Sequence, residues 1–260
     1  MAEFSTKVSE VGPGTVNLRG YSLEAVMRDL TYTEGAFLSL VGRLPSAAEA
    51  RLTDCILNSL LDHGFVASTI TAARYIASGN PQFIPAVAGG VLAAGSNTLS
   101  PEHSFHMLER AAAIQAEEGL DLDATAKRVV EETRAAGRRL PGFGHPTHKT
   151  SDFRADVLFS LAEELGLAGE SIALVHAIHK AFIDSTGKFL PINIDGALAA
   201  TCRDVGLSYL QATALAVLSV LPGLMGHVIE EITEGRPLRH ITDGEYVGNS
   251  LTSLDRSRAS

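Results

Sequence analysis

Every position between Asp204 and Glu230 is free of Asp, Glu, Lys and Arg. A run of that length is enough to cross a bilayer. It nevertheless carries Ser208, Gln211, Thr213, Ser219 and His227, and Pro222-Gly223 interrupts it. Those residues fit a helix buried on all sides in a soluble protein or at a subunit interface, with a second helix after the Pro-Gly pair. A chain with such a segment to hide needs a large apolar interior around it.

The rest of the chain supplies that interior in helical register. Ser46-Ala47-Ala48-Glu49 reads as a capping box. It opens a helix whose Leu52, Ile56, Leu57, Leu60 and Leu61 recur at spacings of three and four. Ser100-Pro101-Glu102 is a second start signal, with a cap, a first-turn proline and an acid. Further helices are expected over Glu24–Leu30, Ser68–Ala77, Ala86–Ala94, Ala124–Ala136, Phe153–Leu165, Glu170–Phe182 and Ile194–Asp204. Alternation long enough for a strand is confined to Thr15–Leu18 and Phe189–Ile192. The fold class is therefore all-α.

Composition narrows the partners. The 260 residues are 45% hydrophobic and carry a formal net charge of −9, which argues against nucleic acid or an anionic membrane as partner. An anionic ligand would then need local clusters of Arg and Lys. Cys55 and Cys202 lie far apart in apolar contexts, as expected for a reducing, cytoplasmic compartment. Met1-Ala2-Glu3-Phe4 has neither a basic region nor an apolar run, so no signal peptide is expected.

One loop concentrates cations and glycine: Arg138-Arg139-Leu140-Pro141-Gly142-Phe143-Gly144-His145-Pro146-Thr147-His148-Lys149. Glycines let backbone N–H groups approach a ligand, and the flanking cations suit phosphates. Alone, such a loop is as often plain solvated surface. Its continuation, Lys149-Thr150-x-Asp152-x-Arg154-Ala155, makes the whole resemble the signature of citrate synthases and citryl-CoA lyases. Other pieces match in order: Leu18-Arg19-Gly20-Tyr21, Gly42-Arg43-Leu44-Pro45, Asp62-His63-Gly64 with Ala73-Arg74, Leu190-Pro191-Ile192-Asn193-Ile194-Asp195-Gly196, and Leu221-Pro222-Gly223-Leu224 with His227 and Glu230-Glu231. Gly235-Arg236-Pro237 and Tyr246-Val247-Gly248 complete the set. The compact length and the Leu-Pro-Gly-Leu wording lean toward the citryl-CoA lyase-like branch.

The resemblance implies a large helical domain, residues 1–100 and 216–260, with a smaller helical domain, 101–215, inserted into it. It implies joining or cleaving a carbon–carbon bond between an acyl-CoA such as acetyl-CoA and a 2-oxo acid such as oxaloacetate. That chemistry needs a base for a weakly acidic thioester methyl group, donors to the enolate and an acid for the accepting carbonyl. By resemblance Asp195 is the base, His145 polarises and protonates the carbonyl, and His63 hydrogen-bonds the small acid. Arg154 and Arg236 clamp its carboxylates, where a planar fork outperforms Lys. The counterpart of Arg236 reaches into a neighbouring subunit, which implies a homodimer. Gly142, Phe143, Gly144 and Lys149 are expected to hold the coenzyme A thioester, which is a substrate; no tightly bound cofactor is expected.

Two positions depart from the family. Thr98, in Asn97-Thr98-Leu99-Ser100-Pro101, stands where a histidine donates to the enolate oxygen, and loss of one such donor costs about a hundredfold in rate. His103, one turn into the next helix, is the candidate replacement. Val220 stands where an arginine clamps a carboxylate. Together these imply an acid with fewer carboxylates than citrate, or shifted chemistry such as thioester hydrolysis or decarboxylation, or a coenzyme A-binding protein without turnover. Taken singly, Asp195 reads as a helix cap, His63 as a helix end, and the arginines as surface ion pairs. The i, i+3 pairs His103/His106, His145/His148 and His176/His179 lack acidic or cysteine companions, so no metal is expected.

Overall fold

The computed structural model describes residues 4–252. Met1–Glu3, where the N-terminus was read, and residues 253–260, at the end of the expected larger domain, lie outside the described residues. The described residues form eleven α-helices: α1 (Leu23–Asp29), α2 (Tyr32–Val41), α3 (Ala47–Ser59), α4 (Ser68–Gly79), α5 (Phe83–Leu92), α6 (Pro101–Glu118), α7 (Leu122–Ala135), α8 (Phe153–Glu164), α9 (Glu170–Thr186), α10 (Ile194–Asp204) and α11 (Tyr209–Glu234). An antiparallel meander precedes them, β1 (Ser9–Gly12), β2 (Thr15–Leu18) and β3 (Tyr21–Ser22), with Val11 opposite Val16 and Leu18 opposite Tyr21. The expected strand at Thr15–Leu18 is thus β2. Phe189–Ile192 forms no strand, because its polar backbone bonds to a loop; only Ile192 makes a bridge, to Phe143.

Local chemistry sets most helix boundaries. The capping box at Ser46 and Glu49 is present and opens α3. Periodicity did not reveal α2, yet Thr31 and Glu34 form the same device at its start and Gly42 ends it in the left-handed region. Helix α5 begins three residues before the expected Ala86, since Pro85 falls in its first turn, where a missing N–H costs no intrahelical bond. Ser100 precedes α6 but makes no capping bond; its hydroxyl lies 3.1 Å from His103 Nδ1 instead.

Helix α10 lies at the centre of the main core. Ile194 and Gly196 to Cys202 are all buried, and the helix packs on α6, α8, α9 and α11. Burial pushes the Cys202 thiol up to about 12. A smaller cluster, Ile70, Ala73, Ala77, Ala86, Leu224 and Val228, joins α4, α5 and the second half of α11.

Helix α11 corrects two expectations. It runs unbroken through Pro222, and Gly223 there lies so close to the Leu61 carbonyl that a Cβ would collide with it. Ser219 anchors the same crossing, accepting from the Leu60 N–H (3.2 Å) and donating to the Leu57 carbonyl (2.8 Å) at the end of α3. Packing on α3 and α4 thus outweighs the one hydrogen bond that a proline removes. Nor is α11 buried on all sides: Ala212, Leu215, Ala216, Ser219, Leu224, Val228 and Glu231 form one stripe, while Leu210 and Ile229 are exposed. It is the one helix among the described residues long and apolar enough to cross a membrane.

A charged network closes that stripe. Arg74 and Glu231, 7% and 3% exposed, pair at 2.8 Å, and Arg239 donates to the same carboxylate from the chain beyond α11. Arg74 Nη1 also lies 3.1 Å from His227 Nδ1, which must accept because arginine only donates. The proton of His227 therefore sits on Nε2, 3.1 Å from Asp62 Oδ1. Breaking a buried pair by removing one partner leaves an uncompensated charge. Glu231→Ala should cost about 3 kcal/mol in urea unfolding, and adding Arg74→Ala should cost less than the sum of the two single changes.

Candidate active site

The loop from Pro141 to His145 is stitched to the segment entering α10. Gly142 accepts a hydrogen bond from the Asn193 N–H (2.9 Å), Gly144 donates to the Pro191 carbonyl (2.8 Å), and Asn193 Nδ2 donates to the Gly144 carbonyl (2.9 Å). Gly142 has φ +82°, and a Cβ there would lie 2.8 Å from the Gly196 Cα. Both glycines are needed for the loop to rest on the first turn of α10. Asn193 Oδ1 accepts from the Gly196 N–H and caps that helix. Asp195 is therefore not the cap, and its carboxylate remains available in the first turn.

This stitching brings distant residues to one cleft of about 630 Å³. Its lining includes His63, Thr98, His145, Arg154, Asp195 and Val220. Thr98 sits in a tight turn whose backbone exchanges two 3.0 Å hydrogen bonds with Gly95. Arg236 is exposed beyond α11 and does not line the cleft in the same chain, because Arg239 ties that segment to Glu231. His103 is exposed and is not part of the lining.

The loop expected to hold coenzyme A reaches the cleft only in part. Gly144 reaches the cleft, but its N–H is held by Pro191 and is not free for a phosphate. Gly142 and Phe143 are buried, and Phe143 stacks on His179 with centroids 5.9 Å apart. Lys149 is exposed and its Nζ donates to the His145 carbonyl at 2.9 Å.

The protons of the site follow from its hydrogen bonds. His145 Nδ1 accepts from the backbone N–H groups of Thr147 and His148, each at 3.0 Å. Its proton therefore resides on Nε2, which lies 3.0 Å from His63 Nε2. Burial, reinforced by the positive surroundings of His63, Arg154 and His148, pushes His145 down to about 4. His63 is lowered as well, first by burial and then by Arg154 and His148. Both imidazoles are neutral near pH 7, and His145 offers an N–H that can turn to a ligand's carbonyl oxygen. Burial raises the Asp195 carboxyl above its ordinary range, against the opposing Ser100 N–H and the Arg154 charge. A carboxyl so raised binds a methyl proton more readily than a free one.

Asp152 was not identified as a site residue, although it stood in the Lys-Thr-x-Asp-x-Arg wording that carried the resemblance. It is buried, takes Arg154 Nε and Nη2 at 2.8 Å each, and accepts the Ile194 N–H at 3.0 Å. Burial would raise its carboxyl, but the bonds and charge of Arg154 outweigh that and hold it below the usual range. It thus fixes the starts of α8 and α10 to each other. Arg154 is a buried, oriented guanidinium and not a surface ion-pair residue.

His148 completes a cluster in which the ring nitrogens of His63, His145 and His148 lie within 4.8 Å of one another. Their donor chemistry does not suit a metal. A coordinating imidazole usually donates from its other nitrogen, whereas the other nitrogen of His145 accepts two N–H groups, so the proton stays on the nitrogen that would have to coordinate. His176 and His179 pack against Phe159 and against Phe143 and Phe189.

Known proteins similar to this chain fall together. A citryl-CoA lyase from Hydrogenobacter thermophilus superposes with a TM-score of 0.88, at 27% identity and 100% coverage of both chains. An ATP citrate lyase from Methanothrix soehngenii, solved with citrate and coenzyme A, gives 0.78 over 96% of this chain and 42% of its own; at 20% identity that likeness shows the fold alone. Citrate synthase from Deinococcus radiodurans is 28% identical over 257 residues, 95% of this chain and 63% of that protein. Citrate synthase 2 from Bacillus subtilis is 26% identical over 85% of this chain and 57% of its own length. The chain thus spans less than two thirds of these curated relatives. The family model "Citrate synthase, C-terminal domain" matches residues 20–241, and the chain belongs to that family.

Proposed function

We propose that the protein makes or breaks a carbon–carbon bond between an acyl-CoA and a 2-oxo acid, with Asp195 as base and His145 as proton donor. The observation that carries this is the juxtaposition, in one cleft, of a carboxyl raised by burial and a neutral imidazole whose Nε2–H is directed by two backbone donors. Asp195 takes a proton from the thioester methyl group, and the enolate carbon attacks the carbonyl held between His63, His145 and Arg154. His145 Nε2–H supplies the proton to the oxygen that forms. Arg154 Nη1, left free of Asp152, receives a carboxylate.

The assembly proposed with this function is a homodimer. Ile84 and Leu92 on α5 are 77% and 84% exposed, and Ile229 extends the apolar surface onto α11. Such a face is unusual on a monomer. A second copy meeting it would bring an Arg236 toward the cleft, as the family resemblance implies. Light scattering at micromolar concentration should give twice the mass of one chain.

Exchange of the acetyl-CoA methyl hydrogens into deuterated water reads the first step directly. Wild type should exchange, and Asp195→Asn should abolish it, because an amide cannot take the proton. Exchange that survives in Asp195→Asn contradicts the assignment. Tight coenzyme A binding with no exchange in wild type would favour a binding protein. The sign of the pH dependence follows from the raised carboxyl: the base works only when ionised, so the acidic limb of the rate should lie above the ordinary carboxylate range.

Thr98 offers a hydroxyl where the resemblance expects an imidazole. Thr98→His should raise the exchange rate by about tenfold or more if a missing enolate donor limits it, read in the same assay.

A further inference from the structure

The cleft holds few cations. Among its lining residues Arg154 is the one guanidinium and no lysine is present, whereas Asp62 and Asp195 both contribute carboxylates. Arg154 is itself half engaged: Nε and Nη2 are bound to Asp152 at 2.8 Å each, leaving Nη1 for a ligand. The wall also carries uncharged polar residues (Ser68, Thr69, Ser96, Asn97, Thr98 and Asn193), and Leu60, Leu61, Val66, Ile70 and Val220 give the same space an apolar part. Val220 lies on α11, partly buried and packed against the main core.

This inventory supplies one guanidinium for one carboxylate and no second cation of the same chain for another. A second carboxylate would leave water for a wall that offers it no charged partner from this chain, with Asp62 and Asp195 adding like charge. An Arg236 from a second copy would only bring two guanidinium groups to match the two aspartates before any anion arrived.

We propose that the carbonyl partner is a 2-oxo acid with a single carboxylate and a short alkyl group, of the class of pyruvate and 2-oxobutyrate. Arg154 holds its carboxylate, and Val220 with the apolar wall receives the alkyl group. The assignment rests on the proposed reaction and specifies its acid. Asp195 removes a methyl proton from the acetyl thioester, and the carbon so freed bonds to the carbonyl carbon. The carbonyl π pair moves to oxygen, which takes the His145 Nε2 proton; the imidazole is reprotonated from solvent, to which Asp195 returns its own. The product is a 2-alkyl-2-hydroxysuccinyl thioester, and the reverse reaction cleaves it. No oxidant or reductant enters.

Calorimetric titration of the full chain with 2-oxobutyrate and with oxaloacetate tests the assignment without requiring turnover. 2-Oxobutyrate should bind at least about tenfold more tightly, the value of one charge-assisted hydrogen bond left unmade. Val220→Arg should reverse that order, and Val220→Lys, with a slimmer head group, serves if the arginine variant does not fold. Equal or tighter binding of oxaloacetate by wild type overturns the proposal, as does failure of both acids to bind. Methyl exchange separates the two claims. Tight 2-oxobutyrate binding without exchange removes the reaction and keeps the acid, whereas exchange with oxaloacetate preferred removes the acid alone.

Discussion

The site depends on the contact between Gly142 and Gly196. Neither residue has a Cβ, so the loop that carries His145 can rest directly on the first turn that carries Asp195. Three hydrogen bonds between residues 142–144 and 191–193 lock that approach. A side chain at either glycine would have to push the loop of His145 away from the turn of Asp195. Everything chemical in the cleft follows from a backbone contact that involves no functional group.

Two second-tier anchors make the contact specific. Asp152 binds Arg154 and the Ile194 N–H together, so Arg154 and the turn that carries Asp195 share one buried carboxylate. Near His63, the chain from Glu231 through Arg74 and His227 to Asp62 has a fixed direction, since arginine can only donate. The same logic acts at His145, where two backbone N–H groups dictate which nitrogen keeps the proton. Neutral imidazoles of known polarity are obtained by geometry, and burial then holds them neutral.

Much of this was legible in the sequence. Helix α10 has the boundaries that its periodicity gives, and the capping box at Ser46 is present. His63, His145, Arg154 and Asp195 were singled out because their neighbours resemble one family, and they line one cleft. What was not legible lay in tertiary contact. Pro222 reads as a break, but the surface of α3 holds α11 straight across it. Gly144 reads as a phosphate donor, but its N–H was already taken by Pro191. Helix α2 was not expected from its periodicity; its ends are set by the capping box of Thr31 and Glu34 and by Gly42. Asp152 stood only as one letter of the Lys-Thr-x-Asp-x-Arg wording and proves to be a joint between two helices, which no local pattern encodes.

The burial of α10 has a consequence for Cys202. Its thiol lies without exposure on the same helix as Asp195, and an environment that pushes it up to about 12 leaves almost no thiolate at neutral pH. Thiolate is the species that alkylating reagents attack, so the native fold shields this sulfur both sterically and chemically. Only an opening that parts α10 from α6, α8 and α9 removes both shields. Slow labelling of Cys202 is then a clock for the transient loosening of the helix that carries Asp195, set into the chain without any engineered probe.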